Sequence, residues 1–225
     1  MKKSKSTTLA LTVVILVGSG IAISVAALSQ RPPLAPPKAS LKDPRTLEEK
    51  AKRGRGRLVS NLDFNRSSQK SSLKDMVSSS TLIVIASTES NVCRMSEDGK
   101  TVRTFYKSQV EEVLKGQRQA GQKITVSLPG GMVGFPGGVT AEVQTPWFKK
   151  MLNNRRYLLF LNGKVNGDTF SPTGGPQGVF EIPADGTGVL SHSGLTKDVM
   201  QQYAGKNRQT FVQEIKDAIR AEANQ

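Results

Sequence analysis

The sequence predicts a mainly β protein, a small closed barrel of five to seven short strands with helices at its C-terminal end. Short runs of β-branched and aromatic residues alternate with Gly, Pro and Ser turns after residue 80. Two segments with helical periodicity follow these runs. With 225 residues, 36% of them hydrophobic and 22% charged, the chain is long enough for one well-formed core and a separate N-terminal region.

The N-terminus, residues 1–30, has the pattern of an export signal. The basic "MKKSKS" precedes the uncharged run Thr7–Gln30, which as a helix is about 36 Å long against about 30 Å of bilayer hydrocarbon. Two alternatives remain, an uncleaved signal-anchor and a signal peptide cleaved after Ala27, with Val25 at the −3 position. Both predict an extracytoplasmic protein, anchored by one membrane pass or secreted.

Residues 31–72 are predicted to form a flexible, disordered linker. "RPPLAPPKAS" is proline-rich, "NRSSQKSS" is polar, and "DPRTLEEKAKR" has room for two turns of helix. The net charge of +14 divides into +3 for residues 1–30, +7 for 31–72 and +4 for 73–225. The linker could therefore adhere to anionic lipid or wall polymer, or act as a solvated spacer, whereas the predicted domain 73–225 has only a modest positive charge.

The first predicted elements of the domain are a short helix at Ser72–Ser80 and a strand at Leu82–Ile85. From Val102 to Val110, small or apolar residues alternate with polar ones, as in a half-buried strand, and the phase shifts near Glu112, which indicates a bulge or the end of the strand. Adjacent strand residues point to opposite faces. Glu111 and Glu112 are therefore not expected to converge on one substrate as a catalytic dyad.

The remaining strands are predicted at Lys123–Leu128, Val139–Val143, Tyr157–Leu161, Gly178–Ile182 and Gly188–Leu190, with "GGMVGFPGG" as a glycine-rich loop. Thr196 is predicted to cap a helix that ends at Gly205, and Asn207 a helix that runs to the C-terminus. The last helix has one apolar face, which predicts packing against the sheet; its members are Phe211, Ile215, Ala218 and Ile219.

Four segments in order, "VEEVLKG", "ITVSLPGG", "YLLFL" and "GGPQGVFEI", followed by a terminal helix, resemble the netrin-like domain in its cysteine-poor bacterial form. This is the OB-fold barrel of the tissue inhibitors of metalloproteinases, and the resemblance spans about residues 81 to 219. Those inhibitors present an amino-terminal cysteine to the metal of the protease. The single cysteine here, Cys93, lies inside the chain, so the resemblance implies the fold and does not imply protease inhibition. "FKKMLNNRRYLLFL" departs from the Gly-Glu turn that usually precedes the strand.

The sequence predicts a non-enzymatic binding module of unknown ligand. Its candidate ligand-binding residues combine aromatic and basic side chains near a barrel loop: Trp147, Phe148, Lys149, Lys150, Arg155 and Arg156. Trp147 could instead close the core. The alternative function is polyanion binding through segment 147–157, to an acidic polysaccharide, a wall polymer or nucleic acid. A protein or an anionic polymer is the expected partner, and the compartment disfavours nucleic acid.

No catalytic residue, cofactor or metal ion is expected. One cysteine and one histidine, His192, provide no cluster with metal-ligand spacing, and the glycine-rich segment lacks the Lys-Ser/Thr of a phosphate-binding loop. The enzymatic alternative is a hydrolase that pairs His192 with Ser191 or Ser193, but residues adjacent in sequence rarely form such a pair.

Overall fold

The computed structural model describes residues 43–163 and 167–224, which form a mainly β structure of ten strands in two sheets, with a C-terminal helix. The predicted leader 1–30 and the linker residues 31–42 lie outside the described residues. The helices are α1 (Leu47–Arg53), α2 (Leu73–Ser78) and α3 (Arg208–Ala223). The strands are β1 (Arg57–Asn61), β2 (Leu82–Met95), β3 (Val102–Lys115), β4 (Lys123–Pro129), β5 (Gly131–Phe135), β6 (Val139–Gln144), β7 (Arg156–Gly163), β8 (Thr169–Pro172), β9 (Val179–Ile182) and β10 (Leu190–Ser191).

Seven strands form the larger sheet in the order β10-β9-β7-β2-β3-β4-β8. The short strand β8 pairs in parallel with β4 and antiparallel with β7. The hydrogen-bonded pairings therefore run from β7 through β2, β3, β4 and β8 and return to β7. Strands β9 and β10 extend the sheet beyond β7.

Strands β2 and β3 form a long antiparallel pair, and β3 confirms the strand predicted from Val102 onward. Ile85 pairs with Glu112 while the next residue, Ala86, pairs with Val110, so Glu111 is left without a partner in the ladder. A second shift of the same kind skips Leu114. These are β-bulges, which bend a strand and increase its twist, and they account for the change of phase in the sequence.

The five strands whose pairings return to β7 share an inner core. Alternate residues of each strand contribute to one hydrophobic cluster, among them Val84, Tyr106, Val126, Leu159 and Phe170. Phe148 is part of the same cluster and Trp147 packs against it. The other faces of residues 82–86 of β2 and 157–161 of β7 are also buried, which explains why these two segments are continuous apolar runs.

Helices α2 and α3 cover the outer faces of β2, β7 and β9. Phe211 and Ile215 of α3 are fully buried in this second cluster, and Ala218 and Ile219 pack against it, so the predicted apolar face is confirmed. Asn207 caps α3 through its side chain, as predicted. The predicted short helix after Ser72 is confirmed as α2, capped by the Ser72 hydroxyl.

The helix for which residues 43–53 have room is present as α1, but the prediction of a flexible linker over residues 31–72 is wrong from residue 43 onward. Thr46 and Glu49 form a capping box that begins α1, and Leu47, Ala51 and Leu58 are buried. Strand β1 pairs in parallel with β6 in a three-stranded sheet, β1-β6-β5, which encloses a third core. These few apolar residues stand among many cations, and strands distant in sequence, chiefly β6 with β3 and β5, provide the surface on which they are buried.

Two local predictions are also wrong. The glycine-rich segment is not wholly a loop, because Gly131–Phe135 forms β5 and pairs with β6. Thr196 does not cap a helix. Asp198 instead caps the 3₁₀ turn Val199–Tyr203, since its carboxylate accepts a hydrogen bond from the amide of Met200.

Raising the pH from about 10 to about 12 is expected to destabilise the protein. Burial raises the pKa of Tyr106 and of Tyr157 to about 12 from 10.0, and burial also raises the pKa of Tyr203, the third tyrosine of the chain. Because the unfolded chain ionises first, the contribution of these phenols to stability is complete below about pH 10 and is lost as pH rises towards 12. Tyrosinate absorbance and urea midpoints measured over this range check it. If the tyrosines of the folded protein ionised near pH 10 and the protein kept its stability, this prediction would be contradicted.

Candidate functional site

The side chains of Trp147 and Phe148, the aromatic residues among the predicted ligand-binding residues, face the interior of the protein. Phe148 is 8% exposed. Trp147 is half-buried, its Nε1 donates a hydrogen bond to the carbonyl of Leu62 at 2.7 Å, and its ring lies 4.9 Å from that of Phe64. Trp147 is therefore part of a wall rather than a freely exposed stacking surface.

The four basic residues of the segment do not form one free patch. Arg156 donates to Glu111 from Nε at 2.8 Å, and Arg155 lies 3.9 Å from Glu181. Lys149 and Lys150 are exposed, and no side-chain carboxylate lies within 4.0 Å of either; all 18 acidic residues belong to the described part of the chain. The structure thus separates two paired arginines from two unpaired lysines.

Trp147 forms one side of a cleft of about 540 Å³, which we call the Trp147 cleft. Its floor comes from β3, β4 and β8, and its other side from residues 62–70, which we call the strap. The surface combines apolar and polar groups, chiefly Leu62, Phe64, Trp147, Arg103, Ser127 and Ser171. A largely apolar cleft with a few convergent polar groups is the usual form of a small-molecule site.

Arg103 is the cation on the floor of the cleft. Its Nε donates to the hydroxyl of Ser127 at 2.8 Å, and its Nη2 lies 3.2 Å from the carbonyl of Ser127 and 3.4 Å from the hydroxyl of Ser171. Burial lowers the pKa of this guanidinium. No side-chain carboxylate lies within 4.0 Å of it, and the chain has no acid beyond the described residues.

The strap is fixed at both of its ends. At one end Trp147 donates to the carbonyl of Leu62. At the other, the buried amide of Gln177 accepts from the backbone N–H of Lys70 at 2.7 Å and donates to its carbonyl at 3.2 Å. The same amide nitrogen donates to Asp198 at 2.7 Å, which holds the orientation of Gln177. The cleft is consequently shaped by defined contacts in the free protein.

A second cleft of about 500 Å³ is also lined by Trp147 and Phe64. Its lining includes Arg66 and Lys197. The two clefts share Asp63, Phe64 and Trp147, so they are neighbours on the surface.

His192 is buried beneath the basic segment, and the structure does not pair it with a serine. Its Nδ1 lies 2.8 Å from the carbonyl of Lys149, which can only accept, so Nδ1 carries a proton. Its Nε2 lies 3.2 Å from Glu181. The hydroxyls of Ser191 and Ser193 accept from backbone amides of Ser193 and Leu195 instead. His192 thus joins β10 to the segment that carries Trp147.

The adjacent glutamates engage different elements, as predicted. Glu111 contacts Arg156 of β7, whereas Glu112 accepts from Arg208 at 3.3 Å and from Lys216 at 3.2 Å, both in α3. The two carboxylates therefore act as separate ion-pair partners.

Cys93 is half-buried against the third core, with its sulfur 3.4 Å from the hydroxyl of Thr104. Over residues 43–163 and 167–224, no three His, Cys, Asp or Glu side chains are grouped so as to hold a metal ion. In the same residues no helix has the length and apolar character needed to cross a bilayer.

The sequence does not predict Arg103 as a ligand-binding residue. It occupies one of the alternating polar positions of β3, and such a position is expected to face solvent. It becomes half-buried because the strap, more than thirty positions earlier, and β8, more than sixty positions later, border it in the fold. Nothing in the local sequence signals this position.

No protein-family model matches the chain, and no curated protein has significant sequence similarity to it.

Proposed function

We propose that this protein is a non-enzymatic, extracytoplasmic binding module and that the Trp147 cleft is its ligand site. The observation that carries the proposal is the combination of an aromatic wall, a cleft of about 540 Å³ and a guanidinium without an acidic partner. A cleft whose walls are already held by the contacts of Trp147 and Gln177 binds with a smaller ordering cost than a loose loop.

We infer further that the five strands form a closed OB-type barrel of netrin-like character. The inference is supported by the strand order β2-β3-β4-β8-β7, which returns to β2, by the single parallel pairing between β4 and β8, and by the inner core to which all five strands contribute. Such barrels bind ligands on their strand faces and rim loops, and Arg103, Ser127 and Ser171 lie on β3, β4 and β8.

The export pattern of residues 1–30 supports the extracytoplasmic location. The mass of the protein purified from its source distinguishes the two leader alternatives. An intact chain supports the membrane anchor and a new N-terminus after Ala27 supports secretion, whereas an intact chain in the cytoplasm opposes both.

The binding proposal is tested with a neutral aromatic probe, phenylpropanol, and the emission of Trp147, the single tryptophan of the chain. We expect a saturable change of emission. Ser171→Phe, at an exposed position on the cleft surface, should fill the cleft and abolish the change. Ser90→Phe is the matched control, because Ser90 is an exposed strand residue outside the cleft. Absence of saturation, or an unchanged response in Ser171→Phe, would refute the cleft as the ligand site.

Polyanion binding is the alternative function, and one observation favours it, the pair of exposed and unpaired lysines Lys149 and Lys150. On this alternative, retention on heparin falls steeply with salt and is reduced in a Lys149→Ala, Lys150→Ala double variant. If retention on heparin changes neither with salt nor in the double variant, polyanion binding by segment 147–157 is excluded.

A further inference from the structure

The arrangement around Arg103 indicates the chemical class of the ligand, an inference that rests on the cleft being the binding site proposed above. Arg103 is anchored along one edge by Ser127, through Nε at 2.8 Å and Nη2 at 3.2 Å. Its remaining nitrogen, Nη1, makes no hydrogen bond to the described residues. The guanidinium is thus held in one orientation and keeps donors available to a ligand.

A half-buried cation without a counter-charge is costly, and an anion bound beside it removes that cost. Within the cleft, the charged side chains are Arg103, Lys70 and Asp63, which leaves one net positive charge. This balance matches a ligand with one negative charge better than a dianion. A carboxylate is the monoanion whose two oxygens suit the planar donors of arginine.

The rest of the cleft surface favours an apolar ligand body. Phe64 and Trp147 lie side by side, with 4.9 Å between their ring centres, and Leu62, Leu128 and Pro172 are further apolar neighbours in the cleft. The hydroxyl of Ser171, 3.4 Å from Nη2, is a further polar group beside Arg103. The site therefore offers an apolar wall and an anion-binding end within one cleft.

We propose that the Trp147 cleft binds a small monocarboxylate with an aromatic or aliphatic body, whose carboxylate is recognised by Arg103. The apolar body packs against the wall formed by Phe64 and Trp147. Ser127 acts as a positioning residue that holds the guanidinium in place.

The test compares phenylpropionate with phenylpropionamide, a neutral analogue of nearly the same shape, on the full chain by Trp147 emission. Phenylpropionate is expected to bind about ten to a hundred times more tightly, the usual effect of a charged hydrogen bond in a partly buried site. Arg103→Met should reduce its affinity to that of the amide and leave amide binding unchanged. Arg94→Met is the matched control, because Arg94 is exposed on β2 and contacts Phe105 rather than the cleft.

The outcomes separate the two proposals. If neither probe gives a saturable response, the cleft is not a ligand site and the proposed function fails with it. If both probes bind equally, or if Arg103→Met retains the preference for the carboxylate, the cleft stands as a site and the monocarboxylate proposal is overturned. Since the amide comparison uses the unaltered protein, it decides the question even if Arg103→Met fails to fold.

Discussion

Replacement of Phe211 by alanine is expected to lower the free energy of unfolding by about 3–5 kcal/mol. Phe211 is 0% exposed and is the centre of an aromatic group, with Tyr203 at 4.7 Å, Phe180 at 5.0 Å and Phe160 at 6.4 Å between ring centres. Its removal leaves a cavity between α3 and the sheet that these rigid rings cannot fill. Urea unfolding followed by circular dichroism measures the loss.

Phe105→Ala is the matched control for this substitution. Phe105 is a strand residue that is only half-buried, with the guanidinium of Arg94 5.6 Å from its ring centre. Its loss should cost clearly less, about 1–2 kcal/mol, because solvent and Arg94 can occupy the space. Equal effects of the two substitutions would show that α3 is not part of the main core.

Gly178→Ala is expected to destabilise the protein by about 3 kcal/mol and to weaken ligand binding at the cleft. A Cβ atom at this position would lie 2.5 Å from the carbonyl oxygen of Thr173 and 2.9 Å from that of Phe160. Both contacts are backbone atoms, and Thr173 and Phe160 are themselves joined by a hydrogen bond of 2.9 Å. To relieve these short contacts the backbone of Thr173 must shift, and Thr173 lines the Trp147 cleft.

Gly134→Ala provides the control. Gly134 lies in β5, its backbone lies outside the left-handed region, and nothing lies within 4 Å of a Cβ built there. Since alanine reduces the conformational freedom of the unfolded chain, this variant should be neutral or more stable by up to about 1 kcal/mol. Thermal unfolding of both variants measures the contrast, and a stable Gly178→Ala would contradict the close packing of Gly178 against Thr173 and Phe160.

The local elements with regular periodicity were predictable because their signals are short-range. The alternation from Val102 to Val110 and the apolar face around Phe211 and Ile215 each depend on neighbours within a few residues. The same holds for the cap at Asn207. The helix predicted after Thr196 is wrong, because the side chain of Asp198 caps the 3₁₀ turn Val199–Tyr203 instead.

The candidate site could be predicted only in part. The sequence predicts Trp147 as a binding residue because it stands beside Phe148 and two lysines, but its inward orientation depends on Leu62 and Phe64 of the strap. Residues 43–72 have a composition typical of a linker, and their order comes from β6, Trp147 and Gln177. Arg103 carries no local signal of its burial.

The sequence by itself determined the mainly β class, most of the strands after residue 80, the terminal amphipathic helix and the separation of Glu111 from Glu112. These properties follow from side-chain periodicity, which is set by the geometry of the helix and the strand. Only the tertiary structure decided that residues 43–72 pack onto the sheets, that β8 joins β4 to β7, and that Arg103 is held in a cleft with no side-chain carboxylate within 4.0 Å of it. Those outcomes depend on contacts between residues far apart in the chain. Such contacts determine which side chains are buried, and the local sequence does not contain them.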